Sequence, residues 1–254
     1  AQATPGGGFM SGDMFVTRIS ADLTTLIQST YLGGSGDDGM SLMTLNAQDE
    51  VYVVSNTASS DMPGTAGGAQ PASNGPAFGP AEAYIARLSA DLTSVLQATY
   101  LGGTLLDSVN SLILAANGVY VAGFTGSSDF PGVAGGAQAT LGSDLDAFVA
   151  LFSTDLTSLV QASFLGGDGL ETVPTLRLIG GSLYVTGATQ SEDFPGTTGG
   201  AQSSYGGGEG DTVIDMFIAL MNPGLTAITQ ATYLGGSGMD LGFLSVGSGG
   251  ELYV

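Results

Sequence analysis

Short runs of apolar residues recur along the chain, and each run is bounded by Gly, Asp, Asn or Ser. The runs are rich in β-branched and aromatic residues, which favour strands, and no helical period of any length appears. The runs come in sets of four joined by turns, so the pattern predicts an all-β fold. Equivalent runs are residues 14–20 (MFVTRIS), 83–89 (AYIARLS), 147–153 (AFVALFS) and 216–222 (MFIALMN).

A short motif marks the phase of an internal repeat. An aromatic residue followed by Leu-Gly-Gly occurs four times at nearly equal intervals along the chain. The surrounding runs and turns keep the same phase, and three copies continue into a loop that ends in Gly-Gly-Ala-Gln. A unit of about 65 residues with four strands has the size of a propeller blade with one long loop. The marker aromatics are Tyr31, Tyr100, Phe164 and Tyr233.

The repeat predicts a β-propeller built of four-stranded antiparallel blades. The opening residues match the third and fourth strands of a unit, and the closing residues match the first and second. The chain therefore reads as half a unit, three whole units and another half, within one propeller or propeller segment. The predicted units are residues 1–39, 40–108, 109–171, 172–241 and 242–254.

Three arrangements of these complementary half-units are open. The two halves complete one blade and close a ring of four, or the chain is a segment of a larger array. In the third arrangement, the half-unit of one chain completes a blade of the next chain and builds a filament. We expect the half-units to be paired in one of these ways, because proteins rarely leave strand edges open.

Charge and residue usage narrow the function classes. The chain has 23 Asp plus Glu against three Arg and no Lys, a formal net charge of −20. Nucleic acid is therefore an unfavourable partner, because phosphate binding depends on Lys and Arg. The absence of Cys, His and Trp argues against a His-containing catalytic triad and against zinc, haem or iron–sulfur sites. No apolar run approaches the roughly 18 residues of a membrane-spanning helix.

The repeated motifs resemble one known family. The motifs that carry the similarity are TYLGG, an acid seven residues after the aromatic, YVTGAT at residues 184–189, and SxDFP with GGAQ downstream. Through these motifs the chain is similar to bacterial β-propeller repeats with the Tyr-Leu-Gly-Gly signature. This family is often called the seven-bladed β-propeller repeat (SBBP). The resemblance covers nearly the whole chain, four times in register. It implies a secreted or cell-surface bacterial protein and no catalytic residues, although four units depart from the seven blades of the family name.

Acidic residues recur at fixed positions of the repeat, and two interpretations compete. The first is architectural, because Asp in turns caps backbone N–H groups. The second is calcium, because residues 33–41 (GGSGDDGMS) resemble a glycine-rich calcium nonapeptide and Ca²⁺ prefers oxygen ligands. No other cofactor is predicted. The candidate calcium ligands are Asp37, Asp38, Asp107, Glu171 and Asp240.

Taken together, these features favour a non-catalytic extracellular structural or adhesive module. Its expected partners are further copies of itself, through the complementary half-blades, or other cell-surface proteins. A calcium-dependent binding module is the alternative, and a propeller hydrolase or lyase comes third, because carboxylates remain available for acid–base chemistry. The marker aromatics are expected to pack between sheets. A specific ligand is expected on the loops that differ between repeats, residues 71–82, 139–146 and 203–215.

Overall fold

The structure is a computed structural model that describes residues 2–7, 12–75, 82–207, 214–242, 244–247 and 249–254, without the side chains of residues 40 and 41. Every named element in these ranges is a strand, which confirms the predicted all-β fold. The same ranges hold no helix long and apolar enough to cross a membrane. The strands are β1 (Met14–Ile19), β2 (Leu26–Leu32), β3 (Asp38–Leu45), β4 (Val51–Thr57), β5 (Glu82–Leu88), β6 (Val95–Leu101), β7 (Asp107–Ala115), β8 (Gly118–Thr125), β9 (Asp146–Phe152), β10 (Leu159–Leu165), β11 (Glu171–Ile179), β12 (Ser182–Thr189), β13 (Asp215–Met221), β14 (Ile228–Leu234), β15 (Ser245–Val246) and β16 (Leu252–Tyr253).

Hydrogen bonding groups these strands into three four-stranded sheets and two hairpins. Each complete sheet is an antiparallel meander in chain order, β3–β6, β7–β10 and β11–β14. The hairpins β1–β2 and β15–β16 are separate two-stranded sheets. The predicted four-stranded antiparallel units are therefore present. Among the described residues no ladder joins the two hairpins, so in this structure they do not complete a common sheet.

Apolar side chains bind the sheets face to face in chain order. Tyr52 and Val54 of the first complete sheet pack into one buried cluster with Val121 and Phe148 of the second. A further cluster joins the second complete sheet to the third. The first strands of consecutive sheets touch, β3 with β7 and β7 with β11. Because each strand alternates its side chains between two faces, a middle sheet supplies both clusters.

Three of the four marker aromatics lie in buried clusters between sheets, with Tyr100 in the cluster that joins the β1–β2 hairpin to the first complete sheet. Tyr100, Phe164 and Tyr233 are fully buried, which confirms the predicted packing between sheets for three of the four repeats. Tyr31 of β2 differs, since its side chain is partly exposed.

An Asp caps the turn between the third and fourth strands in three of the four repeats, and Asn222 takes this role between β13 and β14. The Asp91 carboxylate accepts hydrogen bonds from the Ser89 hydroxyl at 2.6 Å and from the Thr93 backbone N–H at 3.1 Å. Asp22 and Asp155 make the same two bonds in their own turns. These bonds lower the pKa of Asp91 to about 2, and they confirm the architectural interpretation for this set of acids.

Candidate functional site

Two acids of the repeat converge on the first glycine of the Gly-Gly pair. A Cβ atom placed on Gly166 would overlap Glu171 Oε2 and would lie 2.7 Å from Asp146 Cγ. The main chain at this point therefore fits against both carboxyl groups only because the residue is glycine. The separation of the two acids along the chain is the same in every pair. The pairs are Asp13 with Asp38, Glu82 with Asp107, Asp146 with Glu171, and Asp215 with Asp240.

In the three complete sheets, the second acid of the pair opens the first strand and is held by three donors. Asp107 accepts hydrogen bonds from the hydroxyls of Thr125, at 2.5 Å, and Ser127, at 2.9 Å. Its third donor is the Gly103 backbone N–H at 2.7 Å. The Asp107 carboxylate thus links the Gly-Gly turn to the end of the adjacent strand, β8.

The same arrangement recurs in the neighbouring sheets. Glu171 accepts from Thr189 at 2.6 Å, from Ser191 at 2.5 Å and from the Gly167 N–H at 3.2 Å. Asp38 likewise accepts from the Thr57 and Ser59 hydroxyls and from a glycine N–H. The longer Glu side chain therefore replaces Asp in the third sheet without changing the type of donor.

The first acid of each pair binds the loop that precedes the third strand. Asp146 accepts from the N–H groups of Gly142, at 2.8 Å, and Ser143, at 3.1 Å. Gln138 connects the two halves of the network, since its amide donates to Asp146 at 3.1 Å and its carbonyl accepts from the Gly166 N–H at 3.1 Å. Glu82 holds the corresponding loop through the N–H groups of residues 74 and 75, both at 2.8 Å.

Burial shifts the proton affinity of these carboxyl groups upward. It raises the pKa of Glu171 to about 8 and the pKa of Asp107 to about 6, and hydrogen bonds from Ser and Thr hydroxyls partly oppose the rise. The negative charge of the other acid in the pair adds to the rise in both cases. Burial also raises the pKa values of Asp38, Glu82 and Asp146.

A buried tyrosine hydroxyl completes the polar network in two sheets. Tyr233 accepts from the Phe194 N–H and donates to the Ser191 carbonyl, both at 2.9 Å. Tyr100 makes the equivalent bonds in the first complete sheet. The second sheet has Phe164 at this position, and there the loop closes on itself, with the N–H of residue 130 donating to the carbonyl of residue 127 at 3.2 Å.

Three of the five candidate calcium ligands open the complete sheets, Asp37 directly precedes β3, and Asp240 lies in the segment before β15. Asp38, Asp107 and Glu171 are buried and bound by the donors described above, whereas Asp240 is half-buried and accepts from the Gly236 N–H at 2.7 Å. The main-chain carbonyl of Asp37 accepts from the N–H of residue 58. Within the described ranges, no three acidic side chains lie close enough together to hold a metal ion. Calcium binding stays a prediction.

Sequence reasoning found these acids but missed that they act as pairs. The constant separation within each pair was the available signal. It stays the same although the interval between Tyr100 and Phe164 is shorter than the other intervals between marker aromatics. It also missed the Thr-x-Ser segment after the second strand and the Gln of Gly-Gly-Ala-Gln. Both recur in each complete repeat. The Thr and Ser hydroxyls donate to the second acid in all three sheets, and the Gln amide donates to the first acid in two of them.

The network fixes loops to the ends of the strands. The carboxyl groups of Asp107, Asp146 and Glu171 are buried, and their oxygens receive hydrogen bonds from the protein itself. Of the loops expected to carry a ligand, residues 76–81 and 208–213 lie outside the described residues.

No protein-family model matches this chain, and no curated protein matches it.

Proposed function

We propose that this protein is a non-catalytic extracellular structural or interaction module whose sheets are the blades of a β-propeller. The observation that carries the proposal is the repetition of one polar network in every complete sheet. An enzyme would need acids, hydroxyls and amides for chemistry. Here the acid that opens each complete sheet, the Thr and Ser hydroxyls that donate to it, and the Gln that accepts from the Gly-Gly turn make the same hydrogen bonds in all three sheets. An active site, by contrast, is a place where one repeat departs from the others.

The propeller arrangement is supported by the order of the packing. Each sheet is a four-stranded meander, consecutive sheets are joined face to face by apolar clusters, and the first strands of consecutive sheets are in contact. Blades placed around an axis bring their first strands together in this manner. The Tyr-Leu-Gly-Gly motifs add the resemblance to bacterial propeller repeats.

The extracellular placement and the type of partner rest on the resemblance and on the charge. A net charge of −20 favours the solubility of a repetitive protein in which only 10% of the residues are charged. It also disfavours polyanionic partners such as nucleic acid. The proposed partners are therefore proteins, either other cell-surface proteins or further copies of this chain.

Two measurements test the proposal. Antibody labelling of intact cells of the source organism is expected to reach the protein without permeabilisation. A panel of polysaccharide and glycoside substrates is expected to show no turnover above that of heat-denatured protein. Labelling only after permeabilisation overturns the extracellular placement. Turnover that is lost in Asp146→Asn or Glu171→Gln, with the fold retained, overturns the non-catalytic assignment.

A further inference from the structure

Two strand edges and one apolar face are open in the described structure. Among the described strands β1 pairs with β2 alone, and β16 pairs with β15 alone. Met43 on β3 is 59% exposed, whereas its equivalents in the later repeats, Leu112, Leu176 and Leu244, are 7%, 0% and 3% exposed. Those equivalents are buried by the preceding sheet, so Met43 faces a space that a preceding strand pair fills elsewhere in the molecule.

The two hairpins are complementary parts of one sheet. The register of β15 with β16 places Ser245 opposite Tyr253, as Thr44 lies opposite Tyr52 in β3 and β4. Residues 251–254 (ELYV) match residues 50–53 (EVYV), and residues 14–20 match residues 83–89. The β15–β16 hairpin thus corresponds to β3–β4, and β1–β2 corresponds to β5–β6.

We propose that the β15–β16 hairpin of a second copy of this chain adds to the open edge of β1 and completes a four-stranded sheet. This inference rests on the proposed interaction function and names its partner. The hairpin fills the groove beside β3 that Arg18, Met43 and Ala90 line. Strand addition of this kind gains main-chain hydrogen bonds along the edge and specificity from the side chains on alternate positions.

The complete sheets fix the register of the new pairing. In the first complete sheet, β4 and β5 pair Val51 with Leu88 and Tyr52 with Arg87. By the same alignment, Leu252 of one copy lies opposite Ile19 of the other, and Tyr253 lies opposite Arg18. Both Leu252 and Ile19 are exposed apolar side chains in the single chain, so the pairing removes them from water.

An ion pair supplies charge complementarity in this register. Across β4 and β5, Arg87 donates to both carboxylate oxygens of Glu50, at 2.9 and 2.8 Å. The equivalents at the new junction are Arg18 and Glu251, both exposed and on different hairpins. A bidentate Arg–carboxylate pair is geometrically selective.

The other complete sheets lack this pair. Their positions equivalent to Glu50 are Gly118 and Ser182, and their positions equivalent to Arg87 are Leu151 and Leu220. Arg and Glu therefore recur together only in the first complete sheet and at the proposed junction.

A tyrosine contact repeats at the internal junctions and predicts another at this one. The Tyr52 hydroxyl donates to the Thr154 carbonyl in the turn of the next sheet at 2.8 Å, and Tyr120 donates to the Pro223 carbonyl at 2.6 Å. The equivalent of Tyr52 in the added hairpin is Tyr253, and the equivalent carbonyl in the groove is that of Ala90. In the single chain Tyr253 is exposed, and the Ala90 carbonyl accepts only a 3.5 Å bond from Arg18 among the described contacts.

Sedimentation velocity of the purified chain over a range of concentrations gives the first test. We expect reversible association that Arg18→Glu or Glu251→Arg weakens at least about tenfold and that the double reversal restores. Arg177→Glu is the matched control, since it makes the same charge change on an exposed arginine of β11 and is expected to leave association unchanged. Tyr253→Phe is expected to weaken association, with Tyr31→Phe as its control.

Disulfide trapping then identifies the register and the partner. The chain has no cysteine, so any crosslink comes from introduced residues. An equimolar mixture of Ile19→Cys and Leu252→Cys variants is expected to give a crosslinked dimer under oxidation. The side chain of residue 18 points to the other face of β1. An equimolar mixture of Arg18→Cys and Leu252→Cys variants is therefore expected to give no crosslink.

Three results would overturn the inference. They are a monomer at every concentration, association that Arg18→Glu does not affect, and an Ile19→Cys/Leu252→Cys double variant that crosslinks only within one chain. The last result means that the hairpins close on each other in the same copy. If the protein is monomeric, lies at the cell surface and shows no turnover, this inference is wrong and the proposed function stands. If the protein shows turnover or lies inside the cell, the proposed function is wrong, and the association measurement still tests this inference.

Discussion

The carboxyl groups of Asp146 and Glu171 both lie against the main chain of Gly166. Burial, and to a smaller degree the charge of Asp146, raises the pKa of Glu171 to about 8. Every repeat places two acids at this same separation along the chain. Some of the carboxyl groups of this acidic protein therefore lie in its interior. Their burial makes the stability of the fold depend on pH.

We expect the protein to be more stable at pH 5 than at pH 8. An acid whose pKa is higher in the folded state than in the unfolded state binds more protons when folded, so the free energy of unfolding falls as pH rises. For Glu171 this stabilisation is full below its ordinary pKa of 4.5 and is lost as pH rises toward 8. Asp107, with a folded pKa of about 6, acts in the same direction. Thermal unfolding at both pH values measures the difference.

Glu171→Gln isolates the largest of these contributions. The amide has the size of the neutral acid and does not titrate, so the fall in Tm between pH 5 and pH 8 is expected to shrink. Asp155→Asn is the matched control, because its hydrogen bonds in the turn hold the pKa of Asp155 at about 2. That variant loses one charge as well and is expected to keep the full pH dependence. Equal pH dependence in the wild type and Glu171→Gln would contradict the assignment.

Gly166→Ala is expected to destabilise the fold by about 3 kcal/mol or more, at the upper end of overpacking effects. The added Cβ would overlap Glu171 Oε2 and would lie 2.7 Å from Asp146 Cγ, and both side chains are fixed by hydrogen bonds. Urea unfolding measures the cost. Gly224→Ala is the control, since a Cβ there meets no atom within 4 Å, and it is expected to change stability by less than about 0.5 kcal/mol.

The sequence was sufficient for the strands, the repeat and the turn caps. Runs such as residues 83–89 combine β-branched and aromatic residues with turn residues at fixed offsets, and four copies in phase average out the ambiguity of any one run. Asp91 caps its turn as expected, because this bond joins residues only two positions apart. A hydrogen bond between residues this close in the chain can be predicted from the sequence of the turn itself.

The carboxylate pairs were harder to predict because their partners are distant in the chain. Asp107 is brought near Glu82 because β5, β6 and the Gly-Gly turn fold back on one another. Residue propensities do not predict such a contact. The same holds for the Arg87–Glu50 ion pair, whose members are 37 residues apart and depend on the register of β4 with β5. Register is set by the whole sheet.

Tyr233→Phe is expected to cost about 1 kcal/mol, the usual net value of a buried hydrogen bond. The change leaves the Phe194 N–H and the Ser191 carbonyl without the hydroxyl that now joins them. The cost is expected to stay near this value because the repeat with Phe164 shows how the loop adapts, through a direct bond between its own backbone groups. Tyr31→Phe, on a partly exposed side chain, is the control and is expected to be neutral. A loss above about 3 kcal/mol would mean that the loop cannot rearrange.

Calcium is expected to have little effect on stability. Asp107 and Glu171 each accept bonds from two hydroxyls and one N–H, and a cation would have to displace these donors before it reached the oxygens. Ca²⁺ also needs six to eight oxygen ligands. Thermal unfolding is measured after chelation and again after excess CaCl₂ is added, with MgCl₂ at the same ionic strength as the control. Equal Tm values support the architectural role of the acids, because hydrogen bonds alone then account for their burial. A rise in Tm with CaCl₂ that MgCl₂ does not reproduce, and that is lost in Asp38→Asn, would instead establish the calcium-dependent module.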